Sequence, residues 1–380
     1  MANFFKQLFS KLPKEEPLPA GLYTYHTPPD APDQFRLHLR VEPNGEGILI
    51  INAATVLHLN QTGTEFAFHL MQGKSDEEII RLAAERFNAH RDTIAKDVLA
   101  FHQLLRDIIH QPDEAPEASF GLELTSEVKD ISAPYQLNCC LTARAENAPE
   151  SALAHSQPEL DTEAWKVIIK KAYDAGVPHL IFYGGEPTLR ADLITLLQYC
   201  EELGLVAGLV SSCRKMQDEA YLDAILTSGL DHLMVLWDAA DAAQAEALSK
   251  ILPDDLYTCM GLVIAAETDF RALINGFIQQ GANAFSLLPA DATAFETYLR
   301  ACDYVEQAGS TLVTDLPFPL DYQPRVALRN ELLPKAPESE FVRLVVSPAG
   351  ELSSPEPFGT RLGNILNEDW QTLWNRRYQE

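Results

Sequence analysis

From about residue 135 the chain alternates short apolar runs with longer segments of helical periodicity, and it does so six times. The runs at 135–140, 179–183, 206–211, 232–237, 257–264 and 284–288 have strand length. The stretches 162–175, 192–203, 219–228, 242–250, 270–280 and 293–308 repeat apolar residues at helical spacing. Strands joined through helices lie parallel, because a tight turn connects only antiparallel neighbours. The pattern therefore predicts an α/β fold, a parallel sheet with helices outside. Functional residues in such a fold belong in the loops at the C-terminal strand ends.

One of those loops carries chemistry. After the apolar run ending at Tyr183 come Gly184, Gly185, Glu186 and Pro187. Two glycines there let the backbone approach a ligand closely, and Glu186 supplies an acceptor for an ammonium group. Composition narrows the partners. With 29 Lys plus Arg against 55 Asp plus Glu, the chain carries a net charge of −26. A field of that sign repels nucleic acid and anionic membranes. No apolar run reaches the roughly 18 residues of a membrane span. Six cysteines in 380 residues are too sparse for a disulfide scaffold, so the sequence reads as soluble and cytoplasmic.

The first 110 residues are organised differently. Phe4, Phe5, Leu8, Phe9 and Leu12 follow helical spacing in segment 1–14, ahead of Pro13. This short amphipathic stretch reads as a terminal helix packed on its own domain or, less often, as a membrane-surface or partner-docking helix. Between 34 and 110, Phe35, Leu37, Leu39 and Val41 alternate with polar residues, Pro43-Asn44-Gly45 turns, and Gly47–Asn52 returns, which predicts a hairpin. Three helices follow, the second opened by Ser75 and the third carrying Val98, Phe101, Leu104, Leu105 and Ile108. Residues 111–126, rich in proline and acids, read as a linker.

The stretch from Ile48 to Ile79, with its Leu-Asn-x-Thr-Gly run and Gly73, resembles the PqqD-like domains that recognise precursor peptides. That resemblance implies a winged-helix-like module that takes a leader peptide as an added strand. Residues 160–193, around the glycine loop, resemble the radical S-adenosylmethionine (SAM) superfamily, most closely members with a SPASM extension. It implies a partial (β/α)6 TIM-like barrel over 127–330, with Gly184, Gly185, Glu186 and Pro187 lining the pocket for the SAM amino group. Asp238, in Leu-Trp-Asp, carries over as a ribose contact. Segment 331–380, with Pro348, Gly350 and Leu362-Gly363-Asn364-Ile365, is similar to the end of a SPASM domain.

The cysteines of that family are missing from their places. A C-x3-C-x2-C motif starting at Cys140 would continue at residues that here are Arg144 and Asn147. Starting at Cys139 gives Ala143 and Glu146. Arginine has no lone pair for a metal and asparagine is a poor iron ligand. In the C-terminal segment Ser353, Ser354 and Pro355 stand where the resemblance implies cysteine, and none occurs after Cys302. The expectation from these residues is a pseudoenzyme without metal or cofactor, its [4Fe-4S] cluster absent, SAM optional. It would bind a precursor or leader peptide or a partner maturase. Two alternatives stay open: a non-radical enzyme using Glu186, Asp238, Cys140, Cys213 or Arg144, and a radical SAM peptide maturase with unusual ligation. Arg144 itself is either a solvent-facing loop residue or a cation for a carboxylate, including that of SAM.

Overall fold

The computed structural model describes residues 18–28, 35–52, 55–110, 131–146, 158–254, 256–332, 342–355 and 359–378. Segment 4–12, linker 111–126 and Asn147 lie outside them. The chain divides into two units, 1–133 with 173–178, and 134–172 with 179–380.

In the first unit β1 (Gly21–His26), β2 (Arg36–Val41), β3 (Gly47–Ile51) and β4 (Thr55–Leu59) form an antiparallel sheet in that order. Three helices follow: α1 (Gln61–Met71), α2 (Asp76–Phe87) and α3 (Arg91–His110). Because side chains alternate across a strand, Leu37, Leu39 and Val41 share one face with Leu49, Ile51 and Leu57. These residues pack with Phe66, Ile79, Phe87, Val98 and Phe101 of the helices into one core. Inside it Glu65 pairs with Arg86 at 2.6 Å and His69 at 3.3 Å, so the buried carboxylate is compensated. Strand β1 does not figure in the sequence reading. Among the described residues it pairs with β2.

The second unit carries the six expected βα repeats. Strands β5 (Gln136–Thr142), β6 (His179–Gly184), β7 (Val206–Ser211), β8 (His232–Leu236), β9 (Tyr257–Ile264) and β10 (Ala284–Pro289) pair parallel with their sequence neighbours. The helices α4 (Thr162–Ala175), α5 (Leu193–Leu203), α6 (Glu219–Leu226), α7 (Ala242–Ile251) and α8 (Phe270–Gln280) connect them, and α9 (Phe295–Gln307) follows β10. Ile181, Val210, Met234, Leu236, Cys259, Ala284 and Leu288 form a cluster that Phe318 completes. Tyr322 and Val326, at and within α10 (Gln323–Leu332), pack against it.

The sheet extends past both ends of the repeat. Short β11 (Thr311–Leu312) pairs with β10. At the other edge β12 (Arg343–Val346) lies parallel to β5, followed by antiparallel β13 (Glu351–Ser353) and β14 (Arg361–Asn364), then α11 (Trp370–Asn375). The Lys171 ammonium on α4 donates to the carbonyls of Ile365 at 2.5 Å and Glu368 at 2.7 Å, tying this segment to the barrel. Ser354, at one of the positions where cysteine is implied, is buried and bonded both ways to the Thr360 backbone.

At the N-terminal strand ends the rings of His179 and His232 meet, Nε2 to Nε2 at 2.7 Å. One ring donates and the other accepts, which needs at least one of them neutral. Burial pushes the His232 imidazolium down to about 4. The unfolded chain takes up this proton near pH 6.5, whereas the folded chain refuses it until about pH 4. Stability should therefore be complete above pH 6.5 and fall with pH below it, by at most about 1.4 kcal/mol per unit from this group. Denaturant titrations at pH 7 and 4.5 check this, with a shallower pH dependence expected for His232→Gln.

Candidate functional site

The loops after β5, β6, β7 and β8 lie at one end of the barrel and are joined by polar contacts. Their meeting point is Glu186. Its carboxylate is 3% exposed. It accepts from Thr188 N at 3.0 Å, Thr188 Oγ1 at 2.7 Å, Ser211 Oγ at 2.7 Å and Ser212 N at 2.7 Å. Glu186 therefore caps the short turn Pro187–Leu189 and fixes the end of β7 against it. From the sequence Glu186 is expected to accept an ammonium; in the fold it accepts four hydrogen bonds from the chain itself.

Gly184 and Gly185 act through what lies on them. The Gly185 amide donates to Thr142 O at 2.9 Å and the Glu186 amide to Arg144 O at 2.7 Å. Gly184 has φ +152°, and a Cβ there would sit on the Thr142 carbonyl; one on Gly185 would sit on the Arg144 carbonyl. The two glycines let the loop after β5 lie directly on the loop after β6. Both amides are thus used in holding the two loops together.

The loop after β5 is held from two sides. Glu159 accepts from Thr142 Oγ1 at 2.6 Å and Ala143 N at 2.9 Å, and lies 3.6 Å from Arg144 Nε. Arg190, 6% exposed, donates to the carbonyls of Leu141 and Leu160, each at 3.1 Å. On the other side Glu146 accepts from Ser212 Oγ at 3.1 Å and pairs with Arg214 at 3.2 Å. Arg214 also pairs with Asp241, which caps α7. Burial, then the nearby Glu186 charge, raises the Glu146 carboxyl above its usual range.

Three further residues singled out from the sequence, Cys140, Arg144 and Cys213, differ in character. Cys140 is buried, and burial with the Glu159 charge pushes its thiol up to about 12. Arg144 is half exposed and paired with Glu159. Cys213 is buried in the left-handed region, φ +62°, a geometry that glycine takes without cost. Among the described residues no group of three His, Cys, Asp or Glu could hold a metal ion. Of the positions 140, 144 and 147, only Cys140 carries a thiol.

Asp238 follows β8 with its carboxylate exposed, accepting from Ala240 N at 3.0 Å. Its amide is held by Gln244, a residue that sequence reasoning missed because it reads as an ordinary polar position of a helix.

Residues 47–108 match the family described as coenzyme PQQ synthesis protein D (PqqD). Over 131 residues, 33% of this chain and 34% of the relative, the sequence is 40% identical to a protein named PqqA peptide cyclase from Methylorubrum extorquens (strain PA1). A PqqA peptide cyclase from Xanthomonas euvesicatoria pv. vesicatoria (strain 85-10) is 37% identical over 134 residues, 35% of this chain and 32% of the relative. The chain thus aligns with about a third of the length of these curated relatives. Among solved structures, Streptococcus suis SuiB bound to precursor peptide SuiA shares the fold. Its TM-score is 0.56 at 14% identity over 88% of this chain and 86% of that one. SuiB bound to S-adenosylmethionine gives the same TM-score, 0.56, over 89% of this chain. The fold is thus a partial barrel shared with SuiB, together with a unit that matches PqqD over 47–108.

Two expectations from the sequence are corrected by these findings. The lean toward a chain that is not an enzyme does not stand against relatives at about 40% identity that are named as a cyclase. The expectation of no cofactor, with a [4Fe-4S] cluster unlikely, fails on the same relatives and on a neighbour of this fold bound to SAM. The error has a physical source. The expectation counted thiolates at Cys140, Arg144 and Asn147 and found none after Cys302, whereas the relatives match over a stretch far longer than these positions.

Proposed function

We propose that this chain is a SAM-dependent, peptide-modifying enzyme that recognises a precursor peptide through its PqqD-like unit. The observation that carries the reading is the joining, in one chain, of a PqqD match at 47–108 to a barrel of radical SAM type. The relatives named PqqA peptide cyclase point to peptide modification as the reaction class. Among the described residues β1 and β4 are the two edges of this sheet, and extended peptides add to such an edge.

Each loop then has a task. The carbonyls of the Gly184–Gly185 loop accept the SAM ammonium, and Glu186 keeps that loop in register with β7. Asp238 accepts hydroxyl hydrogens of the ribose. SAM, when bound, supplies the activated sulfonium chemistry; the chain's own residues orient it and exclude water. The test is direct: equilibrium dialysis of labelled SAM with the full chain, then incubation with candidate precursor peptides and mass spectrometry. Micromolar SAM binding and a SAM-dependent mass change in the peptide are expected. A chain that binds neither SAM nor peptide would sink the reading.

A further inference from the structure

Gln244 is not marked by the sequence, yet its side chain makes three hydrogen bonds to two different loops and to the end of β8. It is 1% exposed on α7. Its Nε2 donates to Ser212 O at 2.7 Å and to Leu236 O at 2.7 Å, while its Oε1 accepts from Asp238 N at 2.7 Å. One amide thus bridges the loop after β7 to the loop after β8. Ser212 is in turn bonded to Glu186 through its amide and to Glu146 through its hydroxyl. The same α7 start is tied by Asp241 to Arg214, and Arg214 to Glu146. The four loops therefore form one bonded chain, and Gln244 is the link that reaches Asp238.

We infer that Gln244 is a positioning residue for the cofactor: it fixes the separation between the glycine-loop side of the pocket and Asp238, so that amino group and ribose are held together. The inference rests on the SAM-binding reading above. The chemistry requires an amide. Both Nε2 hydrogens are consumed by carbonyls and Oε1 by an N–H, so every polar atom has a complementary partner. Glutamate has the same shape, but its second oxygen would face two carbonyls without a hydrogen to give. Alanine would leave two carbonyls and one amide unbonded in a buried place.

The experiment measures SAM affinity and thermal melting for wild type, Gln244→Ala, Gln244→Glu, Asp238→Ala and the double variant Gln244→Ala/Asp238→Ala. Gln244→Ala should weaken SAM at least tenfold while the protein stays folded at assay temperature. Gln244→Glu should weaken it comparably despite its matched size. The two alanine penalties should fail to add, because the double variant loses the ribose contact only once; a merely structural glutamine would give additive penalties. A second readout is taken well below melting: in Gln244→Ala, which removes the acceptor, the Asp238 amide should exchange hydrogen at least tenfold faster than in wild type. SAM affinity within twofold of wild type in both Gln244 variants, or strict additivity, overturns the inference. Wild type that fails to bind SAM overturns the reading beneath it, a result separable from the first because it needs no variant.

Discussion

Gly185→Ala should abolish SAM binding and destabilise the barrel unit by more than about 3 kcal/mol, a loss at the upper end for a single substitution. The added methyl would occupy the place of the Arg144 carbonyl, and the obstructing atoms are backbone. No rotamer change relieves that contact. The loop after β5 must lift away, breaking the bonds from Gly185 N to Thr142 O and from Glu186 N to Arg144 O. Once lifted, Glu146 leaves Arg214 as well. Thermal melting and SAM dialysis on the same preparation check both halves. A variant that keeps its melting temperature within two degrees or so would contradict the close packing of the two loops.

Glu186→Ala has the second largest expected effect, about 2–3 kcal/mol, the scale for leaving buried donors without their acceptor. The four donors at Thr188, Ser211 and Ser212 would lose their acceptor together. Glu186→Gln keeps the shape and one acceptor oxygen but turns an NH2 toward donors, so its loss should be smaller, about half. That ordering separates a residue organising the loop from one that merely contributes charge to a ligand. Were Glu186 only a ligand contact, both variants would melt like wild type and differ in SAM affinity alone. Urea denaturation gives the stability order.

Much of this fold could be read from the residues. The six βα repeats were legible because each strand is a closed apolar run and each helix repeats its apolar face over several turns. The observed strands and helices begin and end within two or three residues of those read. The PqqD-like unit was legible for a similar reason, since the hairpin turn at 43–45 and the α3 stripe are local patterns. The glycine loop stood out because Gly-Gly after an apolar strand has few structural uses.

The connections between those pieces were not legible. Glu146, Arg214 and Asp241 lie on three different loops and Gln244 on α7, and nothing in their spacing pairs them. Strand β12 lies beside β5 although some 200 residues separate them, an arrangement of the sheet edge that no local signal encodes. Glu186 read as a ligand group because a carboxylate near glycines suggests one; only the folded chain brings Ser211 and Ser212 onto it. The sequence by itself determined which segments become strands and helices, and which end of the barrel can hold a site. The tertiary structure alone decided which polar groups meet there, because hydrogen bonds between loops depend on positions that periodicity cannot carry.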